Sequence, residues 1–334
     1  MRHDTDPRLL RAFVAVAEEL HFTRAAARLF VAQQALSRDI RRLEREWGRT
    51  LFQRDTRHVS LTAEGQRLLP TVRQVLSAHA ALGEDLDAAP GAGSDRPLVV
   101  DVAAHASTGP RVLDAARVAA PGVEFVLRFH SGLARAATEI ADGRLDVSFG
   151  RVAGLPPAVR AALEHRLIRY DRVAVLLPPG HRLAALPRVP LAALSGETVY
   201  AAAGNEDTTE WTDYARALFA GRGIEPAPPF PKLQGELEFV RVVRKKGWSV
   251  LANVEFSDVP EMALRPLTDP VPLAPVSMVW RRGLRHPGLT ALADAARAIG
   301  AAERWLERPP DSWLPEADLR TTSGTGTGTG ATAR

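Results

Sequence analysis

Residues 31–45 carry a regular alternation of apolar and polar positions. At about 100° per residue, as in a helix, Leu36, Ile40 and Leu43, followed by Trp47, lie on one narrow apolar stripe. The opposite side carries amide, hydroxyl and basic side chains, namely Gln34, Ser37, Arg38, Arg41 and Arg45. Arginine binds phosphate or guanine and glutamine binds adenine, so this pattern favours a helix in a DNA major groove. The alternative is a solvent-exposed basic helix face.

Two further helices and a hairpin are predicted around that segment. Apolar residues at helical spacing predict a helix over 8–20, and we expect Thr23 to cap a short second helix. Arg54 and Arg57 precede an alternating pattern over 58–62, which predicts a short hairpin or wing. Three closely spaced helices with a wing predict a helix-turn-helix domain. The alternative for the two arginines is an internal ion-pair role.

One long helix is predicted over residues 66–89. Apolar positions recur there at alternating spacings of four and three residues, which is the pattern of a coiled-coil seam that pairs two subunits. Pro70 lies inside the pattern and is expected to kink the helix. The seam positions are Leu68, Val72, Val75, His79, Leu82 and Leu86.

The rest of the chain predicts an α/β domain. A Pro/Gly-rich segment at 88–97 indicates a domain boundary. Short apolar runs then alternate with helical patterns over 98–150, which predicts a parallel sheet with helices on its faces. The repetitive C-terminal stretch leads us to expect a disordered tail over 316–334.

Charge distribution supports a polyanion-binding first domain. Of the 43 basic and 39 acidic residues, 13 arginines and nine acidic residues lie within positions 1–70, so the whole excess of +4 is found there. The absence of cysteine excludes disulfides and thiolate chemistry. We expect a cytoplasmic protein, because neither a long apolar run nor a signal-peptide pattern is evident. With no catalytic motif and no metal-ligand spacing among the nine histidines, we expect neither an enzyme nor a cofactor.

The first 68 residues resemble a known family. The positions that carry the resemblance are Phe13, Ala25, Ala26, Leu29, Gln33, Ala35, Ser37, Ile40, Leu43, Glu44, Gly48, Leu51, Phe52, Arg54, Arg57, Leu61, Thr62 and Gly65. This pattern is similar to the winged helix-turn-helix of LysR-type transcriptional regulators. The resemblance implies a homodimer or homotetramer on a pseudo-palindromic operator in double-stranded DNA. It also implies a C-terminal effector-binding domain of two α/β lobes, like periplasmic binding proteins.

One position departs from the family pattern. Where Ser or Thr is usual before Gln33, this chain has Ala32. A missing hydroxyl cap should cost on the order of 1 kcal/mol of helix stability. We therefore expect Gln33 and Gln34 to carry more of the DNA contact at that end. The expected DNA contacts are Gln33, Gln34, Ser37, Arg38, Arg41, Arg54 and Arg57.

Candidate effector contacts follow the predicted strands. Ligands bind beyond the carboxyl ends of parallel strands and between lobes. Hydroxyls and free amides at a helix start, together with Arg151, favour an anionic effector. Simple helix capping by Ser107 or Thr108 is the alternative. The candidates are His105, Ser107, Thr108, Ser131, Arg151, Asn205 and Asn253.

The predicted organisation has four parts. They are a winged helix-turn-helix over 1–65, a dimerisation helix over 66–89, a two-lobed effector-binding domain over 90–315 and the tail. The predicted function is sequence-specific DNA binding modulated by a small molecule bound between the lobes. One alternative is a ligand-independent, oligomeric architectural DNA-binding protein, because a bulky basic turn at 245–248 stands where the family usually has a small one. The other, an enzyme with an accessory DNA-binding domain, lacks a catalytic constellation.

Overall fold

The chain divides into two compact units, residues 1–92 and 93–334. Each is described by itself. In the described residues, no helix combines the length and the apolar character that crossing a membrane requires. The computed structural model describes residues 5–54, 59–87, 96–102, 108–130, 132–231, 233, 236–256 and 259–323.

The first unit is a winged helix-turn-helix with a long C-terminal helix, as the pattern predicts. Its core is the apolar stripe of the third helix packed against the first helix and the hairpin. Phe13 is fully buried and meets the ring of Phe52 edge to face, with 5.5 Å between ring centres. The elements are α1 Pro7–Glu19, α2 Phe22–Arg28, α3 Gln33–Trp47, β1 Phe52–Arg54, β2 Val59–Leu61 and α4 Ala63–Asp87.

Two local predictions in this unit are wrong. Helix α2 begins two residues earlier than a Thr23 cap predicts, so Thr23 lies inside it and His21 caps it, with Nδ1 accepting from the Thr23 amide at 3.2 Å. Val72, assigned to the coiled-coil seam, is 4% exposed and belongs to the core of the unit itself. The reason is that an ion pair between Arg73 and Glu18, 2.7 Å long, holds this face of α4 against α1.

The second unit alternates strands and helices, which confirms the α/β prediction. Its strands are β3 Leu98–Asp101, β4 Phe125–Arg128, β5 Val147–Gly150, β6 Leu163–Leu177, β7 Val189–Pro190, β8 Thr198–Tyr200, β9 Glu225–Pro226, β10 Ser249–Asn253, β11 Ala263–Thr268, β12 Val271–Arg281 and β13 Ser312–Trp313. Its helices are α5 Thr108–Ala119, α6 Leu133–Ala141, α7 Pro157–Ala161, α8 Thr209–Phe219, α9 Glu236–Lys246, α10 Pro287–Ala302 and α11 Glu316–Ser323.

Two crossing strands divide this unit into two lobes. In the first lobe the strand order is β4-β3-β5-β12-β6, and β3 is parallel to both of its neighbours. The last part of β6, residues 173–177, pairs with β10 and β11 in the second lobe, whose order continues β10-β8-β9. Strand β12 returns to the first lobe and pairs with β5. The two crossing strands, β6 and β12, therefore connect the lobes.

The C-terminal prediction is wrong in part. Residues 316–323, assigned to the disordered tail, form α11, and its Asp318 is 2% exposed. Burial of this carboxylate is explained by an ion pair with Arg151, described below. Composition alone did not reveal that partner. The rest of the predicted tail lies outside the described residues, as does the predicted boundary segment between residues 88 and 95.

Candidate DNA-binding helix and ligand pocket

Helix α3 separates a buried face from a polar one. Leu36, Ile40 and Leu43 are each 1% exposed or less. The side chains predicted to contact DNA lie on the other side, where Gln33, Gln34, Arg38 and Arg41 are exposed and Ser37 is half-buried. Burial of the stripe holds the helix in the domain and leaves its polar face available to a partner.

Arg38 and Arg41 are unpaired within the part of the chain that the structure describes. Neither makes a hydrogen bond or ion pair with the described residues. Arg42, one turn from Arg38 on the same helix, instead bonds Glu46 at 2.7 Å. Two exposed guanidinium groups thus project from α3 without a neutralising carboxylate, which is the arrangement that phosphate and guanine contacts require.

The start of α3 is uncapped. Ala32 occupies the N-cap position and supplies no side-chain hydrogen bond. At α1, by contrast, the Asp6 carboxylate accepts from the Arg8 amide at 2.8 Å. The amides at the start of α3 therefore retain hydrogen-bonding capacity, next to Gln33 and Gln34.

The wing is attached to α3 through Glu44. Its Oε1 accepts from the amides of Leu51 and Phe52, at 2.9 and 3.2 Å, which fixes the start of the hairpin. Strands β1 and β2 pair antiparallel, as predicted. Arg54 ends β1, and Arg57 lies outside the described residues.

A cavity of about 250 Å³ lies between the two lobes of the second unit. The carboxyl ends of β5, β8 and β10 reach its wall, in agreement with the rule for parallel sheets. The wall is mainly apolar and includes Phe149, Tyr200, Trp211, Leu233, Phe239, Phe256 and Val276. Its polar side chains are Arg151, Asp171, Asn205, Thr208, Glu210 and Asn253.

Three of the predicted effector contacts share this cavity, namely Arg151, Asn205 and Asn253. The Oδ1 of Asn205 accepts from the backbone amide of Asp207, and the Oδ1 of Asn253 accepts from that of Glu255, each at 3.1 Å. Among the described residues, nothing accepts a hydrogen bond from their side-chain amide nitrogens. Thr108 was predicted to contact the effector and is not part of the wall, because it is fully buried and its hydroxyl accepts from Arg169. The other candidates, His105, Ser107 and Ser131, lie outside the described residues.

Arg151 is buried and bound to carboxylates of the chain itself. Its Nε donates to both oxygens of Asp318, at 3.0 and 2.8 Å. Its Nη1 donates to Asp213 at 2.8 Å and to the Glu210 carbonyl at 2.9 Å. Nη2 has no acceptor among the described residues. An effector anion that binds Arg151, as the sequence predicts, would therefore have to compete with Asp318 and Asp213.

Glu210 joins the lobes at the start of α6. Its Oε1 accepts from the Leu133 amide at 2.8 Å and its Oε2 from the Ala134 amide at 3.2 Å. Burial raises the pKa of Glu210, although these backbone bonds act in the opposite direction. A Cβ on Gly132 would lie 2.7 Å from Glu210 Oε1, so glycine permits this close approach.

Asp171 contributes a second buried carboxylate to the wall. Arg169 Nε lies 2.8 Å from its Oδ1, and the same guanidinium also bonds Glu255. Burial raises the pKa of Asp171 to about 6, against the attraction of Arg169. The carboxylate is thus ionised at neutral pH and becomes protonated in mildly acidic solution.

The bulky turn near Trp248 does not enter the cavity. Trp248 stacks behind Tyr200, with 4.7 Å between ring centres, and Lys246 Nζ lies 5.9 Å from the Trp248 ring. Tyr200 itself lines the wall. The turn that favoured a ligand-independent protein therefore supports the pocket from outside.

Sequence reasoning missed three of the charged groups. Asp171 lies between Arg169 and Arg172 in β6, and these arginines were a usable signal of a carboxylate paired within the strand. Glu210 and Asp318 had none, because their partners are 77 and 167 residues away. The described residues contain no group of three or more His, Cys, Asp or Glu placed to hold a metal ion.

Two family models match this chain. Residues 7–66 match the bacterial regulatory helix-turn-helix protein of the lysR family, and residues 97–300 match the LysR substrate binding domain. The second match alone spans more than half of the chain. The order of the two domains agrees with the two units of the structure.

Individual proteins show the same similarity. The transcriptional regulator ShiR of Corynebacterium glutamicum is 40% identical over 179 residues, which cover 53% of this chain and 59% of ShiR. The regulator BenM of Acinetobacter baylyi is 27% identical over 314 residues, covering 90% of this chain and 98% of BenM. The crystal structure of full-length BenM has a TM-score of 0.52 at 26% identity, covering 92% of this chain and 100% of that chain.

A solved complex with DNA shares the fold. Full-length CbnR bound to its target DNA has a TM-score of 0.57 at 21% identity, covering 88% of this chain and 99% of CbnR. Both reported relatives are transcriptional regulators. The chain therefore belongs to the LysR family of DNA-binding transcriptional regulators, with a helix-turn-helix domain followed by an effector-binding domain.

Proposed function

We propose that this chain binds a pseudo-palindromic operator through α3 and that a small molecule in the interlobe cavity modulates this binding. The observation that carries the proposal is the polar face of α3, where Arg38 and Arg41 have no partner among the described residues. A helix held by its apolar stripe can present these groups to base edges and phosphates without rearranging its own core.

The proposed contacts divide by role. Gln33, Gln34 and Arg38 are placed to read bases, while Ser37 and Arg41 position the helix on the backbone. Arg54 and Arg57 of the hairpin are proposed to reach flanking phosphate or the minor groove. The uncapped amides at the start of α3 suit a phosphate oxygen, since a helix N-terminus attracts anions.

We propose that α4 pairs two subunits into a homodimer, or into dimers of a homotetramer. Val75 and Leu82 on this helix are 49% and 58% exposed, and both belong to the predicted seam. Apolar side chains at this spacing gain stability when a second helix covers them. The half-sites of the operator should then lie about one or more helical turns apart.

The effector is proposed to act by shifting populations. A ligand that binds one arrangement of the subunits better than another changes the share of each arrangement. The chain is proposed to do this in the cytoplasm, by binding and without catalysis. The proposed division into a DNA-binding domain, a pairing helix and an effector-binding domain separates DNA recognition from ligand recognition.

The test is a footprint on the DNA immediately upstream of the protein's own gene. We expect protection of two half-sites, with a pattern that changes when the ligand is added. An unrelated fragment of equal length is the control. Equal protection of both fragments would show that the protein binds DNA without sequence preference and would contradict the proposal.

A further inference from the structure

The interlobe cavity has two groups that attract anions, and the chain's own carboxylates already bind both. This observation deepens the proposed function, because it concerns the chemical class of the ligand. It rests on that function for the assumption that the cavity is the effector site. The two groups are the guanidinium of Arg151 and the backbone amides of Leu133 and Ala134 at the start of α6.

The first internal anion is Asp318. Both oxygens of its carboxylate accept a hydrogen bond from Arg151 Nε. The Asp318 side chain is 2% exposed, so bulk water does not compete for this pair. It is carried by α11, which lies beyond residue 300, where the match to the substrate-binding domain ends. Asp213 adds a second carboxylate on the Nη1 side of the same guanidinium. The positive charge of Arg151 is therefore fully compensated inside the protein.

The second internal anion is Glu210. Its two oxygens occupy the amides of Leu133 and Ala134, which are the groups that a ligand carboxylate would use at a helix N-terminus. Bringing another anion to this point would place it beside a buried carboxylate. Like charges in a site with little water repel strongly.

The remaining charge in the wall gives no attraction for an anion either. Asp171 is negative at neutral pH, and its partner Arg169 is shared with Glu255. The rest of the wall is mostly aromatic and aliphatic. Arg151 Nη2 still lacks an acceptor among the described residues, and an uncharged oxygen would satisfy it without adding charge.

We propose that this cavity excludes anionic ligands and takes a largely apolar ligand that carries an uncharged hydrogen-bond acceptor, and that Asp318 is the residue that excludes the anions. Asp318 acts as a built-in anion for Arg151. Its removal should therefore convert the cavity into a site for an aromatic carboxylate. This conclusion replaces the sequence-based expectation of an anionic effector.

The experiment uses two probes of similar shape and different charge, namely phenylacetamide and phenylacetate. Binding to the full chain is measured by calorimetry at pH 8. We expect the wild-type protein to bind phenylacetamide at least tenfold more tightly than phenylacetate. In Asp318→Asn the ratio of phenylacetate to phenylacetamide affinity should rise at least tenfold, because Arg151 loses its buried counter-charge.

Two further variants make the result specific. Glu316→Gln removes an exposed carboxylate from the same helix, where it pairs with Arg320, and should leave the ratio unchanged. Asp213→Asn removes the other, half-exposed partner of Arg151 and should raise the ratio by a smaller factor. This surface variant gives a reading even if Asp318→Asn folds poorly.

Three outcomes would overturn the inference. They are tighter binding of phenylacetate than of phenylacetamide by the wild-type protein, no binding of phenylacetamide, and an unchanged ratio in both aspartate variants. The footprint on operator DNA is measured separately. An intact footprint with the wrong ligand preference would reject this inference alone, whereas a lost footprint would reject the proposed function.

Discussion

Arg38 and Arg42 lie one turn apart on α3 and differ in what surrounds them. The guanidinium of Arg42 is held by Glu46, which raises its pKa and keeps it on the surface of the domain. Arg38 has no such partner among the described residues. At the scale of single residues, therefore, the useful distinction is between arginines that the fold has paired and those that remain available to DNA.

Replacement of Arg38 tests this distinction. Arg38→Ala should weaken operator binding by about 1–3 kcal/mol and relax the preference at one base pair, because a bidentate base contact is lost. The measurement is a gel shift on the operator and on single-base variants of it. The control is Arg297→Ala, which removes the same charge from an exposed position on α10. An equal loss on random DNA would show that Arg38 touches only phosphate.

Asp171 gives the second unit a pH-dependent stability. Because burial raises its pKa from 3.8 to about 6, the folded chain binds a proton between these pH values that the unfolded chain does not. This contribution to stability is present below pH 4 and is lost as the pH rises through about 6. The stability of Asp171→Asn relative to wild type should therefore be higher at pH 8 than at pH 5, by about 1–1.5 kcal/mol.

Urea unfolding of the full chain at the two pH values measures this difference. Tryptophan fluorescence reports mainly on the second unit, which holds five of the six tryptophans. Asp114→Asn, an exposed position on α5, is the matched control. A difference between Asp171→Asn and wild type that is the same at both pH values would contradict the argument.

At the scale of elements, the two ends of α3 differ in how they are capped. Gly48 ends the helix in the left-handed conformation, with φ at 62°, and its amide bonds the last turn. The opposite end has Ala32, which leaves its amides without a side-chain cap. The helix that is proposed to contact DNA is therefore least stabilised at the end that carries Gln33 and Gln34.

A single substitution at Ala32 tests this weakness. Ala32→Ser should stabilise the first unit by about 0.5–2 kcal/mol, because a hydroxyl can accept from the amides of the first turn. Thermal unfolding followed by helix circular dichroism measures the change. Ala27→Ser, at an exposed position inside α2, should not stabilise the unit. A gain no larger than in this control would show that the end of α3 needs no cap.

At the scale of the whole molecule, function depends on groups that belong to different parts of the fold. The cavity wall combines β5 and α6 of one lobe with β8 and β10 of the other. Pairing of subunits is proposed to use α4 of the first unit. A change in either property should therefore leave the other measurable, so that ligand binding and assembly can be tested separately.

Assembly is tested at Leu82. Leu82→Arg places a charge on the proposed seam, so the dimer should dissociate at least tenfold more readily, since an apolar contact is lost and two like charges meet. Analytical ultracentrifugation measures the dissociation constant. Leu237→Arg, at a position 88% exposed on α9, is the control for a charge on another apolar surface site. Unchanged dissociation would place the subunit contact elsewhere.

Local pattern was sufficient for three features of the fold. The stripe Leu36, Ile40 and Leu43, the alternating hairpin and the strand–helix rhythm each encode periodicity over a few residues, and the structure confirms all three. The excess of arginine in the first 70 residues pointed to a polyanion without any fold. These features can be predicted because burial of one face of a helix or strand requires apolar residues at a regular spacing in the sequence.

Only the tertiary structure decided how the charges of the cavity are paired. The sequence predicted Arg151 as a ligand contact, yet it binds Asp318, which lies 167 residues away in the chain. Glu210 accepts from the first amides of α6. Likewise, Val72 looked like a seam residue until α1 covered it. Such pairings depend on which distant groups folding brings within hydrogen-bond distance, and no local repeat records them.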